Sequence, residues 1–325
     1  MTPAVSVVVP TYRRELLLRR CLTALAAQEN VPGSFEIIVV DDGRSADTRK
    51  LVEWFARQCA EPPQVRYAPQ RDGVRGPAAA RNAGWRLARA SIVAFTDDDT
   101  IPAPDWLNQG LQAMENGAAA AAGRVTVPLP EVPTDWERNT AGLDGAEFVT
   151  ANCFVRREVL SAMGGFDERF TRAWREDSDL YFSLLEARQQ VVRAPSALVV
   201  HPVRPAPRGV SLRVQKNMFF DALLYKKHCW LYRHKISARP PLHYYASLLA
   251  LLAAGIAAAT GHALIATAAL VIWLWQTARF ALRRLQGTSR APLDVLDMAI
   301  TSAAIPPIAV YWRLAGAWHF RVPFL

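Results

Sequence analysis

Short, strongly apolar runs alternate with amphipathic stretches over the first hundred residues of this chain, and that alternation narrows the fold to one class. Val5–Val9 (VSVVV) stops at Pro10, Glu36–Val40 (EIIVV) stops at Asp41-Asp42-Gly43, and Ile92–Thr96 stops at Asp97-Asp98-Asp99. Runs this short and this rich in β-branched residues predict strands buried on both faces. Between them, Glu15–Ala27 carries Leu18, Cys21, Leu22 and Leu25 at helical spacing. Thr48–Cys59 and Pro77–Ala90 read as further helices, and Val65–Ala68 as a short strand. Strand and helix therefore take turns four times, which predicts an α/β fold with a mostly parallel sheet covered on both faces. In such sheets the ligand crevice lies beyond the carboxyl ends of the strands. Pro10-Thr11-Tyr12-Arg13, Asp41-Asp42 and Asp97-Asp98-Asp99 stand at those ends and are expected to converge. No GxGxxG and no Walker lysine loop is present, so a dinucleotide fold and a P-loop ATPase are unsupported.

Beyond Pro102 the alternation loosens. Ala118–Val127 and Glu147–Val155 read as strands, Pro128–Asp144 as a Pro-rich loop and Glu158–Met163 as a short helix. Glu176–Ala187 (EDSDLYFSLLEA) is a helix with acids at its start, where the macrodipole favours them. Val191–Val200 includes a strand that delivers His201.

The last third has a different composition. The chain is 325 residues long, 51% hydrophobic and 21% charged, yet residues 242–282 contain a single charge, Arg279. Leu242–Thr260 and Ala263–Leu282 are each long enough to cross a hydrocarbon core of roughly 30 Å. Lys226, Lys227, Arg233, Lys235 and Arg239 precede the pair, and Arg279, Arg283 and Arg284 close it. Basic residues at both outer ends predict a transmembrane hairpin with both ends cytoplasmic; the alternative is a buried helical hairpin in a soluble protein. Leu293–Trp312, with Asp294, Asp297 and Pro306-Pro307, reads as a kinked interfacial or weakly spanning segment. The expected organisation is a catalytic domain over 1–203, a basic juxtamembrane segment over 204–241, the hairpin over 242–284 and a last membrane-associated segment over 285–325.

A net charge of +9 suits nucleic acid, anionic lipid or phosphorylated substrates. Many of the basic residues fall between Arg204 and Arg239, which favours a membrane surface, and no nucleic-acid recognition signature appears. Cys21, Cys59, Cys153 and Cys229 are scattered without metal-ligand spacing, so no disulfide and a reducing compartment are expected. The amino terminus enters a strand directly, with no leader pattern, so the catalytic part is expected in the cytoplasm.

Asp97-Asp98-Asp99 is the sharpest chemical feature. Adjacent carboxylates at the end of a buried strand repel one another, and a hard cation such as Mg²⁺ or Mn²⁺ relieves that cost; acidic triplets also serve as solvated loops and caps. Asp42 can accept from a base N–H or a ribose hydroxyl, or form a turn. Gly73–Asn82 (GVRGPAAARN) offers glycines and arginines suited to a diphosphate, although Arg81 can instead pack against the sheet end. Glu176, Asp177 and Asp179 place three acids within four positions, more than capping requires, so one of them, Asp177, is a candidate general base. His201 is open between a metal or phosphate ligand and a hydrogen-bonded histidine at a strand end.

PTYRR, VVDDG, ARNAG, TDDD, GGFDE and REDSDL occur in this order over about residues 4–203. With them the chain resembles the family 2 glycosyltransferases. The resemblance implies the A-type glycosyltransferase fold, a Rossmann-like nucleotide-binding sheet joined to an acceptor-binding half. It implies a nucleotide-diphosphate sugar donor, a divalent metal and usually inversion at the transferred sugar. Carried over by position, Pro10, Tyr12 and Asp42 hold the nucleoside, with Thr11 and Arg13 beside them. Asp97 and Asp99 match the outer acids of the family's DxD motif, with Asp98 between them. Asp177 matches the base of the ED pair, preceded by Glu176. The family usually shows DDGS, where Arg44 stands here in place of the serine. The QxxRW motif of processive synthases is absent, which favours a single sugar addition to a hydroxyl acceptor, lipid-linked or near the membrane. A sugar-1-phosphate nucleotidyltransferase would need a glycine-rich loop and lysine where PTYRR stands, and an inactive scaffold would have no reason to keep both acidic motifs.

Overall fold

Residues 2–59, 63–71 and 73–325 are described in the computed structural model of the protein. They divide into two units, 1–128 with 141–203, and 129–140 with 204–325.

The first unit runs β1 (Val5–Thr11), α1 (Glu15–Ala26), β2 (Phe35–Asp41), α2 (Ala46–Gln58), β3 (Gln64–Pro69), α3 (Pro77–Leu87), β4 (Ile92–Phe95), β5 (Ile101–Pro102), α4 (Trp106–Met114) and β6 (Ala120–Thr126). The chain leaves for the second unit, which takes α5 (Asp135–Thr140), and returns with β7 (Cys153–Arg156), α6 (Arg157–Met163), α7 (Glu176–Glu186) and β8 (Val191–Val200). The eight strands form one sheet in the order β3-β2-β1-β4-β7-β6-β8-β5. β3, β2, β1 and β4 are mutually parallel, as the alternation predicts. β7 is antiparallel to both β4 and β6, and β8 is parallel to β6.

Period-two geometry sends successive residues of β1 to opposite faces. Val5, Val7 and Val9 join a core with Leu18, Leu22 and Trp106, whereas Val8 joins the other with Ile38, Phe95 and Leu180. Glu36 is charged yet fully buried, and it is tolerated because Ser6, Arg66 and Arg89 all donate to its carboxylate. Ser45 caps α2 by accepting from Thr48 N, which stops β2 and starts the next helix within a few residues.

Three expectations change. The strand expected over Glu147–Val155 is confined to Cys153–Arg156, because residues 146–152 form turns over β6 with Val149 and Ala151 packed on Val125 and Val127. The Pro-rich loop contains α5 and a 3₁₀ turn, Ala141–Leu143. α4 and the two-residue β5 fill the stretch where no pattern was read.

The second unit contains α5 with α8 (Val210–Arg213), α9 (Met218–Lys227), α10 (Cys229–Leu231), α11 (Leu242–Ala259), α12 (Ala263–Leu285) and α13 (Pro292–Phe320). α11 and α12 form an antiparallel hairpin, turned at Gly261 and closed where Tyr244 meets Phe280 at 5.6 Å. The last segment is one helix of 29 residues that runs through Pro306 and Pro307. By length and apolarity, α11, α12 and α13 can each cross a membrane. The 129–140 excursion is tied to this unit by Arg284 Nη2 to Asp135 Oδ2 at 2.5 Å, Ser289 N to Pro133 O at 2.8 Å and Trp136 Nε1 to Arg204 O at 3.0 Å.

Candidate active site

Strand register brings the polar clusters together. Thr11 stands opposite Asp41, and Val8 opposite Phe95, so residues 96–99 leave β4 beside the end of β1. β5 follows at once and pairs antiparallel with β8, Ile101 opposite Val200. That pairing returns the chain so that His201, just past β8, meets Asp99 just before β5. His201 N donates to Thr126 O at 2.9 Å, which fixes the backbone, and His201 Nε2 lies 3.5 Å from Asp99 Oδ1.

Asp97, Asp99 and His201 each offer one donor atom, all within 4.8 Å of one another. Two carboxylates and an imidazole suit a divalent cation. His201 is 8% exposed, and its Nδ1, the ring nitrogen other than the one nearest Asp99, is buried without a hydrogen-bond partner.

The middle acid behaves differently. Asp98 accepts from Thr11 Oγ1 at 2.8 Å and from Arg14 Nη1 at 3.1 Å, so Thr11 and Asp98 brace the sheet edge through each other. Burial pushes the Asp98 carboxyl up to about 6, against the pull of Arg14. Arg14 also approaches Asp99, at 4.0 Å. Arg14, the last residue of PTYRR, carries a sequence signal of its own: a second arginine directly before a helix at the sheet's ligand edge.

Arg81, on α3, is 2% exposed. Its Nη2 donates to Asp97 at 2.6 Å and its Nη1 to Glu176 at 2.9 Å, linking the DDD cluster to the start of α7. Glu176 Oε2 is buried and unpartnered, and burial outweighs Arg81 to push the Glu176 carboxyl up to about 7. Asp177 is raised by burial as well, while Ser178 N donates to it at 2.6 Å.

The two acids after β2 divide their labour. Asp41 is fully buried and accepts from Gly43 N, Ser45 N and Tyr67 Oη, which builds the turn. Asp42 accepts from Gly76 N at 3.0 Å and keeps a buried Oδ1 without a partner; its carboxyl is raised, chiefly by burial. Gly76 has φ +105°, and a Cβ there would come within 2.9 Å of the Thr171 backbone, so only glycine serves. Pro10 is half-buried in β1, Tyr12 is 49% exposed, and the Arg13 guanidinium lies 5.6 Å from the Tyr12 ring. Arg44 donates through Nε to Gln70 O.

Asn82 donates to Phe166 O and Glu168 Oε1 and accepts from Phe166 N and Trp85 Nε1, so one buried amide fastens the GGFDE turn ahead of α7.

A family model for glycosyl transferase family 2 matches residues 6–173, more than half of the chain. The chain belongs to that family. A validoxylamine A glucosyltransferase of Streptomyces hygroscopicus subsp. limoneus is 39% identical over 220 residues, covering 56% of this chain and 48% of that one. The glycosyltransferase AglE of Haloferax volcanii is 27% identical over 215 residues, covering 62% and 68%. The chain therefore spans about half the length of the first of these relatives and two thirds of the second. A mannosyltransferase from Pyrobaculum calidifontis, solved with GDP-Man and Mn²⁺, superposes with a TM-score of 0.57 at 21% identity, covering 97% of this chain and 88% of that one. Likeness at that identity establishes the A-type glycosyltransferase fold, as the motifs imply. Within this family 2 member, the DxD acids and the ED pair sit at one edge of the sheet and share Arg81.

Proposed function

We propose that this chain is a metal-dependent, inverting glycosyltransferase that moves one sugar from a nucleotide-diphosphate donor to a hydroxyl acceptor. In this reading residues 1–203 carry the chemistry and 242–284 attach the enzyme to the cytoplasmic membrane. The catalytic part faces the cytoplasm, and the acceptor is membrane-proximal or lipid-linked, in the synthesis of a cell-envelope glycan. The observation that carries the proposal is the meeting of Asp97, Asp99 and His201 within 4.8 Å, with Arg81 joining Asp97 to the residue beside Asp177.

Asp97, Asp99 and His201 would hold Mg²⁺ or Mn²⁺, and the bound ion supplies positive charge that makes a nucleotide diphosphate a better leaving group. The exposed face of Tyr12 offers a stacking surface to the nucleobase, with Pro10 and Arg13 beside it. The unpartnered Oδ1 of Asp42 is free to accept from the base or the ribose. The unpartnered Oε2 of Glu176 is suited to a sugar hydroxyl of the donor. Asp177 takes the proton of the acceptor hydroxyl as its oxygen attacks the anomeric carbon. A single displacement opposite the departing diphosphate inverts that centre.

The test is purified protein in detergent with a panel of nucleotide sugars and Mg²⁺ or Mn²⁺. One donor should be turned over only with the ion present, and product NMR should show the inverted anomer. Asp99→Ala should lose ion-dependent donor binding. Asp177→Asn should keep donor binding and lose transfer by about 10²-fold or more, the scale of general-base catalysis. Normal turnover by Asp177→Asn removes that residue from the mechanism.

A further inference from the structure

α13 has the length and apolarity of a membrane span, but its surroundings differ from those of α11 and α12. Within the windows that give each helix its apolar character, 39% of α13 is buried in protein, against 11% and 0% for the hairpin helices. Most of the covering comes from residues 209–227, which run beside α13 in the same direction. Gly209 N donates to Asp297 Oδ1 at 2.9 Å near its start. The Lys216 ammonium lies 5.6 Å from the Trp312 ring, well inside the helix. Phe219 packs on Trp312, His319 and Phe320, and its carbonyl lies so close to Gly316 that a Cβ would fall 2.4 Å from it. Lys226 Nζ donates to Phe320 O at the carboxyl end, where a cation suits the helix dipole.

This companion carries charge. Arg213, Lys216 and Lys226 are exposed along it. Were α13 to cross the bilayer, its companion would enter hydrocarbon with it, and Arg213 and Lys216 would lie at depths where charged groups are expensive. Arg284 adds a second polar contact by donating to Thr301 and Ser302 on the covered face.

The opposite face of α13 is apolar over nearly its whole length. Leu293, Leu296, Ile300, Tyr311, Leu314 and Trp318 recur at helical spacing and are all exposed, Trp318 by 88%. α13 is itself apolar on its covered side too, through Met298, Ile305, Ala309 and Val310, so the amphipathy belongs to the pair. The stripe faces outward on α13 and the basic groups stand on its packed partner, as in an assembly lying in the plane of a lipid surface.

We infer that α13 and residues 209–227 form a raft lying on the membrane surface, with the stripe from Leu293 to Trp318 in the acyl boundary and only α11 and α12 crossing. The occupant of that stripe is the bilayer that the hairpin enters, so the inference rests on the membrane reading given above. Both hairpin ends and both ends of α13 are then on one side.

Spin labels test this in the full chain reconstituted in anionic vesicles. Cys59 and Cys229 are replaced by serine, while the buried Cys21 and Cys153 are left. Labels at Leu293, Ile300, Leu314 and Trp318 should report one shallow depth, whereas labels at Leu252 and Leu274 in the hairpin should read deep. Tags at the two chain ends should be accessible from the same face of sealed vesicles. A depth profile along α13 that peaks at its middle, with end tags on opposite faces, overturns the raft and leaves the hairpin intact. Water-like exposure at Leu252 and Leu274 as well overturns the membrane reading and the raft together.

Discussion

At the scale of single residues, the site is organised by buried carboxylates that hold or share charge, and Glu176 is the most informative of them. Burial lifts its carboxyl from the ordinary glutamate range to about 7, so the folded chain keeps a proton that the unfolded chain releases. Its contribution to stability is therefore complete below about 4.5 and is lost as pH climbs through about 7. In chelator, the thermal midpoint of the wild type should fall as pH is raised across that window. Glu176→Gln, neutral at every pH, should flatten the fall, and an unchanged slope in the variant would move the titration to another group. Activity should run the opposite way, because Asp177 must be ionised to accept a proton and its carboxyl is raised too. Much of this site was legible in the chain: Asp42, Asp97, Asp99, Asp177 and His201 all sit where a strand ends or a helix begins, and topology sends those places to one edge. The pairings were not legible. Arg81 meets Glu176 across 95 positions and Asn82 meets Phe166 across 84, and separations of that size leave no local pattern to read.

At the scale of elements, the chain spelled out its parallel half better than its mixed half. β1, β2 and β4 are runs that only a doubly covered strand tolerates, whereas β5 is two residues long and gives no periodic signal. Yet β5 sets the site, since its pairing with β8 returns His201 to Asp99. The direction of β7, antiparallel to β4, follows from connections that composition does not encode. The turn between α6 and α7 is likewise held from outside, by Asn82 on α3. Asn82→Ala would leave Phe166 N–H and Trp85 Nε1–H buried without acceptors. Each such group costs about 1–3 kcal/mol, so the variant should lose roughly 2–6 kcal/mol in a denaturant titration. Donor binding and transfer should both fall, because the start of α7 carries Glu176 and Asp177. A variant as stable as the parent would mean that the turn holds itself.

At the scale of the whole molecule, sequence order and spatial grouping disagree, and the disagreement has a consequence. Residues 129–140 lie between β6 and the return of the chain to the catalytic unit, yet they belong with the helical unit. Asp135 is held by Arg284, Pro133 O accepts from Ser289 N, and Trp136 donates to Arg204 O. Every one of those partners lies beyond Val203. A chain cut after Val203 keeps the whole sheet and all of the site residues, Pro10 through His201, but it strands the excursion without the partners of Asp135, Pro133 O and the Trp136 indole. Segments with few buried contacts open at low cost and are cut first. Limited trypsin digestion should therefore cleave the truncated chain at Arg138 while the full chain, in detergent, resists there. Replacing 129–140 with a short glycine-serine link in the truncated chain should remove the cleavage and leave donor binding unchanged, because no site residue comes from that stretch. Equal resistance at Arg138 in the cut and full chains would show that the catalytic unit holds the excursion by itself, and the division of the protein would then fall at Val203 alone.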